Sequence, residues 1–306
     1  MNKTGAIKKK KINWMRVSFI ISGILLPTVS FLITYVYVNF DALFRGFYIM
    51  IGGERVWTLD NFITFFEEFS KESSDLLLCF GNTFKTWLIS FITFPLGFLV
   101  SYFLYKKIFL FRSFRTIFFL PSVIPGVVII SVFTNFVGTE GPIAKMIADM
   151  IGEPYVELLG DERFANYTIW FNMIWLGFPG NMVLWGGSLA RIPDSLLESA
   201  KLDGVSWLRE VVSIIIPLVW PTFILMLMMN VSGIFGASGS VFLLTEGRWG
   251  TNTFSNWMYM NVLNNKDPNS NIYNYMAAVG LLITIISCAL ALTLNRLKKK
   301  FEGVDY

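Results

Sequence analysis

The sequence predicts an all-α integral membrane protein with about six transmembrane helices. Hydrophobic residues make up 54% of the 306-residue chain and charged residues only 15%, a balance that is unusual for a soluble domain. The charges are also clustered, so that long stretches of the chain carry none. Each of these stretches reaches the roughly 20 residues that a helix needs to cross a hydrocarbon core. Composition and charge spacing therefore agree on a membrane domain.

Six charge-free stretches follow one another along the chain: residues 17–40, 86–105, 116–139, 164–190, 211–245 and 268–295. The first is too long for the apolar part of a secretion signal, and no A-x-A-like site follows it, so we interpret it as an uncleaved helix. The fifth is too long for one simple crossing. Its glycine- and serine-rich part, Gly233 to Thr245, is expected to form a loop or to line a cavity. We therefore divide the chain into a basic arm (1–16), a transmembrane domain (17–295) and a tail (296–306).

The basic residues indicate which side of the membrane each loop faces. Seventeen of the 25 Lys and Arg residues lie in the arm, in residues 106–115, in residues 191–209 and in the tail, while seven lie in the intervening loops. Because short cytoplasmic loops are enriched in Lys and Arg, we predict that both termini and the loop around Glu198 are cytoplasmic. The Lys8–Lys11 run is then an anchor beside a membrane helix, and no nucleic acid is expected as a partner.

Some residue types and motifs do not occur in the sequence. It has no histidine, the commonest general base and metal ligand, and no G-x-x-x-x-G-K-[ST] phosphate loop. The apolar stretches also lack the paired charges that ion-coupled carriers use as relays. We therefore expect no catalytic residue, no metal site and no cofactor on this chain. If this chain is part of an ATP-driven transporter, ATP and Mg²⁺ must bind to a partner chain.

The polar stretch between the fourth and fifth apolar stretches carries the most specific pattern. Residues 198–217 read E-S-A-K-L-D-G-V-S-W-L-R-E-V-V-S-I-I-I-P. They resemble the EAA motif of ABC-importer permeases, which reads E-A-A, three residues, Gly, nine residues, I-x-L-P. Ser199 replaces the first alanine and Ile216 the leucine, while every spacing is kept. Taken alone, the stretch also suits an amphipathic helix on the membrane surface that begins at Pro193-Asp194.

In the family that the motif resembles, this segment docks into a cleft on a separate ATPase subunit. The residue types suit that role, because Gly204 allows a sharp turn, Ala200 permits close backbone approach and Glu198 offers an anionic group to a basic partner. The resemblance thus implies a coupling segment at about residues 193–217. Its coupling residues are Glu198, Ser199, Ala200, Asp203, Gly204 and Pro217.

The rest of the chain is similar to the first permease subunit of carbohydrate-uptake importers of the maltose and multiple-sugar type. Residues 119–125, F-L-P-S-V-I-P, and 175–180, W-L-G-F-P-G, are two of the supporting segments. The resemblance implies a type I ABC-importer fold and a carbohydrate cargo, an oligosaccharide or a polysaccharide fragment. It also implies a second homologous permease, two cytoplasmic ATPase subunits and an extracytoplasmic solute-binding protein as partners, with membrane lipid around the chain.

The resemblance also suggests a substrate pathway. Aligned on the motif without gaps, the family's sugar-contact positions are Met173, Leu176, Gly177, Gly180, Asn230, Gly233, Ile234 and Ala237. Only Leu176 and Gly177 keep the family's residue types, which argues against maltose itself. The glycines equally suit a kinked, closely packed helix, and Asn230 equally suits a hydrogen bond between helices. Trp175 and Trp185 are further pocket candidates.

Two other functions remain as alternatives. The first is an importer permease for a phosphorylated polyol or another non-sugar solute, which would place a basic residue in the cavity, and the sequence suggests none. The second is an ion-coupled carrier, which the missing intramembrane charges and the motif both disfavour.

Overall fold

The computed structural model describes residues 14–71, 74–236, 239–267 and 270–302. Within these ranges the α-helices are α1 (Trp14–Phe31), α2 (Val38–Arg45), α3 (Asp60–Ser70), α4 (Asp75–Ser90), α5 (Thr93–Tyr105), α6 (Phe111–Val123), α7 (Gly126–Val137), α8 (Pro142–Ile151), α9 (Ala165–Leu189), α10 (Asp194–Leu202), α11 (Trp207–Glu210), α12 (Ile216–Ser232), α13 (Gly239–Thr245), α14 (Phe254–Asn264) and α15 (Ile272–Glu302). Two π-helical segments, Leu32–Tyr37 and Val211–Ile215, precede α2 and α12, and strands β1 (Tyr48–Ile51) and β2 (Glu54–Trp57) lie between α2 and α3.

Five helical stretches within the described ranges are long and apolar enough to cross a membrane. They are Ile21–Arg45, Asp75–Tyr105, Gly126–Ile151, Trp207–Ser232 and Ile272–Arg296. The remaining predicted crossing, residues 164–190, is present as the 25-residue helix α9, which has no charged side chain. At about 1.5 Å per residue α9 is long enough to cross, but its Trp, Asn and Gly residues make it less apolar. The helical membrane fold is confirmed, with five strongly apolar spans rather than six.

The third predicted crossing, residues 116–139, is not one continuous helix. Helix α6 ends at Val123, Ile124 is extended with ψ of 137°, and α7 begins only after Pro125. A proline disfavours the helical conformation of the residue before it and cannot donate a backbone hydrogen bond. The apolar span therefore starts at Gly126 and runs on into α8.

The break predicted in the fifth apolar stretch is confirmed. Helix α12 ends at Ser232, Gly233 leaves the helical conformation with ψ of 8°, and α13 begins at Gly239. The second crossing also differs from the prediction, because it begins at Asp75 rather than at residue 86. It consists of α4 and α5, which meet at a bend around Phe91.

The chain divides into two compact units, Met1–Ile63 with Pro268–Leu281 and Thr64–Asp267 with Leu282–Tyr306. The first unit contains the β1–β2 hairpin, which the sequence analysis missed. Gly52 and Gly53 turn the hairpin with φ of +61° and +89°, the positive angles that a two-residue hairpin loop requires.

The second unit contains the candidate site, and its core joins α5 to α9. The indole N–H of Trp185 donates to the carbonyl of Phe94 at 3.1 Å, and its ring meets Phe98 edge-on at 5.2 Å. One turn further along, Ser101 donates to the carbonyl of Met182 at 3.0 Å. Trp185 is only 3% exposed and its N–H is bonded, so it packs in this core. Its ring also lines an apolar cavity of about 210 Å³, and its role as a pocket residue stays a prediction.

Candidate functional site

Helix α10 has one face packed on the protein and one face exposed. Ala200 is buried, and Leu197 packs against the hydrophobic core that includes Leu189 and Ile192. Glu198 and Leu202, one turn apart on the exposed face, are both accessible, and Leu202 is 88% exposed. Residues spaced by four lie side by side on a helix, so a carboxylate and a leucine form one exposed surface. In the amphipathic alternative, Leu196, Leu197, Ala200 and Leu202 pack on the membrane surface, but Ala200 is buried within the chain.

Gly204 ends α10 in a defined turn. Its φ of +68° lies in the left-handed region that favours glycine. The Val205 N–H donates to the carbonyl of Ala200 at 3.1 Å, and the Gly204 N–H donates to that of Lys201 at 3.2 Å. These two bonds form a Schellman motif, which satisfies the last carbonyls of the helix. No atom lies within 4 Å of where a Cβ would stand, so the glycine is needed for its backbone angle and faces open space.

The last part of the motif is an irregular helical turn. Residues Val211–Ile215 form a π-helix, closed by a bond from the Ile216 N–H to the carbonyl of Val211. Pro217 lies where the π-helical turn continues into α12, and it has no N–H to donate to the turn before it. The remaining predicted coupling residues, Ser199 and Asp203, are exposed, and the Ser199 hydroxyl donates to the carbonyl of Ser195 at 2.9 Å.

An ion pair with one buried partner, Glu210, joins this segment to the end of α5, and the sequence analysis missed it. The carboxylate of Glu210, whose side chain is 9% exposed, lies 2.6 Å from the ammonium group of Lys106. The hydroxyl of Tyr102 is 3.4 Å from the same carboxylate oxygen, Oε1. The only sequence signal was weak: each residue is the charge that borders an apolar stretch, Lys106 after α5 and Glu210 before α12.

A polar cluster lies at the bend between α4 and α5. Asn230 donates to the hydroxyl of Ser90 at 2.8 Å, and Asn181 donates to the hydroxyl of Thr93 at 2.7 Å. Thr93 in turn donates to the carbonyl of Ser90 at 2.6 Å. Within the described residues, Asn230 Oδ1 and Trp87 Nε1 are buried without a hydrogen-bond partner. The cluster thus offers one free acceptor and one free donor.

The structure brings two of the predicted pathway residues to this bend. Asn230 bonds Ser90, and a Cβ on Gly177 would lie 3.1 Å from the Thr93 methyl group. The other positions are distributed along α9 and past the end of α12: Met173, Leu176 and Ile234 are half-buried, Gly180 and Gly233 are exposed, and Ala237 lies outside the described residues. Ser90, Thr93, Asn181 and Trp87 were not predicted, because hydroxyl and amide groups in an apolar stretch carry no spacing signal.

A cavity of about 430 Å³ lies between α5, α6 and α9. It is lined by Ser101, Leu104, Tyr105, Arg115, Phe119, Met182, Val183, Gly186 and Ala190. The Tyr105 hydroxyl is buried and has no hydrogen-bond partner among the described residues. Arg115 is the kind of basic cavity residue that the sequence did not lead us to expect.

Residues 93–301 match the family described as binding-protein-dependent transport system inner membrane component. The chain is 26% identical over 200 residues to the galactooligosaccharides transport system permease protein GanP of Bacillus subtilis (strain 168), covering 62% of the chain and 47% of GanP. It is 27% identical over 191 residues to the multiple sugar-binding transport system permease protein MsmF of Streptococcus mutans serotype c, covering 62% and 64%. The chain thus spans about half to two thirds of the length of these relatives.

The polygalacturonan/rhamnogalacturonan transport system permease protein YteP of Bacillus subtilis (strain 168) matches over a longer range. It is 26% identical over 270 residues, which cover 85% of the chain and 80% of YteP. Among solved structures, a bacterial ABC transporter involved in the import of the acidic polysaccharide alginate superposes with a TM-score of 0.79. The match covers 94% of the chain and 98% of that chain, but at 18% identity it shows only that the fold is shared.

Proposed function

The chain belongs to the binding-protein-dependent transport system inner membrane components, and on this premise we propose that it is the permease subunit of an ABC importer for a carbohydrate. In this proposal an oligosaccharide or polysaccharide fragment crosses the cytoplasmic membrane through this chain and a second, homologous permease. Two cytoplasmic ATPase subunits hold ATP and Mg²⁺ and carry out hydrolysis, and an extracytoplasmic binding protein delivers the cargo. The chain itself is a transport subunit without a cofactor or a catalytic residue.

The observation that carries the proposal is the exposed surface of α10. The surface formed by Glu198 and Leu202 suits the docking of a partner protein. On docking, the exposed leucine side chain would be buried, and the carboxylate beside it would form a charge-assisted contact. The opposite face is fixed to the core through Leu197 and Ala200. A force applied to the exposed face is therefore transmitted to the membrane domain.

The proposed orientation places this surface in the cytoplasm, where an ATPase can reach it. It follows from the basic residues, which concentrate in the arm 1–16, in residues 106–115, in residues 191–209 and in the tail 296–306. The transmembrane domain, 17–295, then has both ends on the cytoplasmic side.

Two lines of support favour a carbohydrate cargo. GanP, MsmF and YteP are named for galactooligosaccharides, multiple sugars and polygalacturonan/rhamnogalacturonan. The polar cluster at the α4–α5 bend adds an acceptor on Asn230 and a donor on Trp87, neither of which has a hydrogen-bond partner among the described residues. Sugar hydroxyls both donate and accept, so they are suited to satisfy such a pair.

The cavity beside Arg115 supports a second candidate, an importer permease for an anionic solute such as a phosphorylated polyol. A guanidinium group recognises phosphate and carboxylate groups by paired hydrogen bonds. Arg115 is exposed, and it lines the cavity together with the unpaired hydroxyl of Tyr105.

Uptake by the assembled complex tests both candidates. The chain, its partner permease, the ATPase and the binding protein are reconstituted in proteoliposomes, and uptake of labelled neutral oligosaccharides is compared with uptake of a labelled sugar phosphate. The proposal predicts uptake of the neutral oligosaccharide that needs both ATP and the binding protein. Uptake of the sugar phosphate alone would favour the second candidate. Uptake driven by an ion gradient without ATP would contradict both.

A further inference from the structure

Beyond its role in docking, the coupling segment is attached to the membrane domain by a contact that no motif describes. We propose that the Lys106–Glu210 ion pair is a positioning contact that fastens the end of the coupling segment to α5. Movement of the segment then enters the membrane domain through α5 and α9 and not through α12 alone. This inference rests on the proposed function, because it concerns how movement of the ATPase reaches the transport pathway.

The pair differs from the other ion pairs in burial. In the ion pairs formed by Asp41, Glu140, Glu153, Asp161 and Glu246, both side chains are at least 28% exposed, whereas the Glu210 side chain is 9% exposed and that of Lys106 is 32% exposed. Exposed ion pairs contribute little to stability, but removing one partner of a buried pair leaves an uncompensated charge. The 2.6 Å contact therefore holds the two elements together more firmly than an exposed ion pair would.

The two residues occupy the ends of separate elements. Lys106 directly follows the last residue of α5, and Glu210 is the last residue of α11. Tyr102, one turn earlier on α5 and 2% exposed, places its hydroxyl 3.4 Å from the Glu210 carboxylate and its ring 5.8 Å from the Lys106 ammonium group. The carboxylate is thus held by Tyr102 of α5 and by Lys106, the residue that follows this helix.

The covalent connection from Glu210 to α12 is more deformable than the connection from Glu210 through α5. It passes through the π-helical residues Val211–Ile215 and then Pro217, which has no N–H to donate. π-Helical segments and prolines are the places where helices bend. A displacement at α11 is therefore absorbed in part before it reaches α12.

The connection from Glu210 through α5 is stiffer. Helix α5 is bonded to α9 by Trp185 on Phe94 and by Ser101 on Met182. At the far end of α5, Asn181 of α9 bonds Thr93 in the polar cluster where Asn230 also bonds. A displacement of α5 and α9 as one body thus reaches the candidate cargo contacts.

Charge substitutions in the reconstituted complex test this inference. Glu210→Gln and Lys106→Met should each lower the uptake per ATP hydrolysed by roughly tenfold, within the usual range of coupling between sites, while the ATPase subunits stay bound. The double variant Lys106→Glu with Glu210→Lys should recover a large part of the lost uptake, because the opposite charges face each other again. Lys107→Met removes a neighbouring exposed lysine and should transport like the wild type.

The outcomes separate this inference from the proposed function. A wild-type complex without ATP-dependent uptake would overturn the proposed function. Full uptake per ATP in Glu210→Gln, in a wild-type complex that transports, would overturn this inference alone. Equal defects in Lys106→Met and Lys107→Met would also overturn it, because the defect would then follow from losing any positive charge in this region and not from losing the ion pair.

If the charge variants do not assemble, a distance measurement in a complex that keeps both Lys106 and Glu210 tests the inference. Spin labels are placed at Phe109 and Leu208, two exposed positions near the ends of α5 and α11. The inference predicts that their separation changes by no more than about 2 Å, the size of a small helix shift, between the resting and ATP-trapped states. A change of about 5 Å, the rise of one helical turn, would show that the two elements move apart and would overturn it.

Discussion

The side-chain amide of Asn230 donates a hydrogen bond of 2.8 Å to the hydroxyl of Ser90, which joins α12 to the bend between α4 and α5. The donor half of the amide is therefore already used within the chain. The acceptor half, Oδ1, is buried without a partner in the described part of the chain. The bond supports a structural role for the amide N–H, and the free oxygen supports a role in cargo contact.

The two roles of Asn230 predict different effects of substitution. Asn230→Ala removes the free acceptor, so we expect an assembled complex with intact basal ATPase activity that takes up less sugar or prefers other sugars. Ser90→Ala removes only the internal partner, so we expect a loss of stability of about 1–3 kcal/mol from the unpaired donor and unchanged sugar preference. Uptake competition among oligosaccharides and thermal unfolding measure the two effects. Ser232→Ala, at an exposed serine near the end of α12, is the control. Loss of assembly with unchanged sugar preference in Asn230→Ala would contradict the cargo role.

Glu198 is predicted to contribute a charge-assisted contact to the ATPase. Glu198→Gln keeps the shape of the side chain and removes its charge, so the contact should lose about 1.5–3 kcal/mol, roughly a tenfold to hundredfold weaker association. ATPase binding to the solubilised permease pair measures this, and ATP-driven uptake should fall with it. Asp149→Asn, at an exposed carboxylate of α8 on the predicted outer side, is the matched control. If both variants bind the ATPase like the wild type, Glu198 does not belong to the docking surface.

Two substitutions of Gly204 distinguish whether this position needs glycine for its backbone angle or for the open space beside it. Gly204→Ala should destabilise the turn by about 1–2 kcal/mol, because alanine is strained at a φ of +68°. Gly204→Asn should be less strained, because asparagine tolerates the left-handed region, and its side chain meets no atom of this chain near the Cβ position. If a partner packs there, Gly204→Asn should nevertheless lose uptake. Normal uptake in Gly204→Asn together with a defect in Gly204→Ala would mean that only the turn matters.

The orientation of the chain is tested by labelling single cysteines. In a background with Cys79 and Cys288 replaced by alanine, cysteines at the exposed positions Phe109 and Leu202 should resist a membrane-impermeant thiol reagent in intact cells. Cysteines at the exposed positions Glu67 and Tyr155 should react, because their loops carry few basic residues. Reaction of all four positions after lysis is the control. Labelling of position 202 from outside would contradict the proposed orientation.

Charge spacing and one motif were enough to predict the membrane fold and a helix that begins at Asp194. The break at Pro125 was also visible in the sequence, but a count of charge-free residues does not detect it, since proline and isoleucine are equally uncharged. A count of charge-free residues also does not detect the hairpin at Gly52-Gly53. These misses come from local turn chemistry, which hydropathy does not measure.

The contacts of the candidate site could not be predicted for a different reason. Lys106 and Glu210 are far apart in the sequence and meet only when the end of α5 packs against α11. Ser90 and Asn230 likewise meet only when α4 packs against α12. Neither pair belongs to a motif, and each residue alone has an ordinary role as a boundary charge or a helix–helix contact. Only the assembled helices show that these residues are partners.

The most direct measurement of the central claim is a photo-crosslink from the exposed face of α10. A photoreactive amino acid is placed at Leu202 in the assembled complex, and a second variant carries it at Leu225, an exposed position in the middle of α12. We predict that position 202 crosslinks to the ATPase subunit in proteoliposomes, that ATP trapping changes the yield, and that position 225 gives no such product. Equal labelling of the ATPase from both positions, or a crosslink from position 202 to lipid alone, would contradict the claim that α10 docks on the ATPase that drives transport.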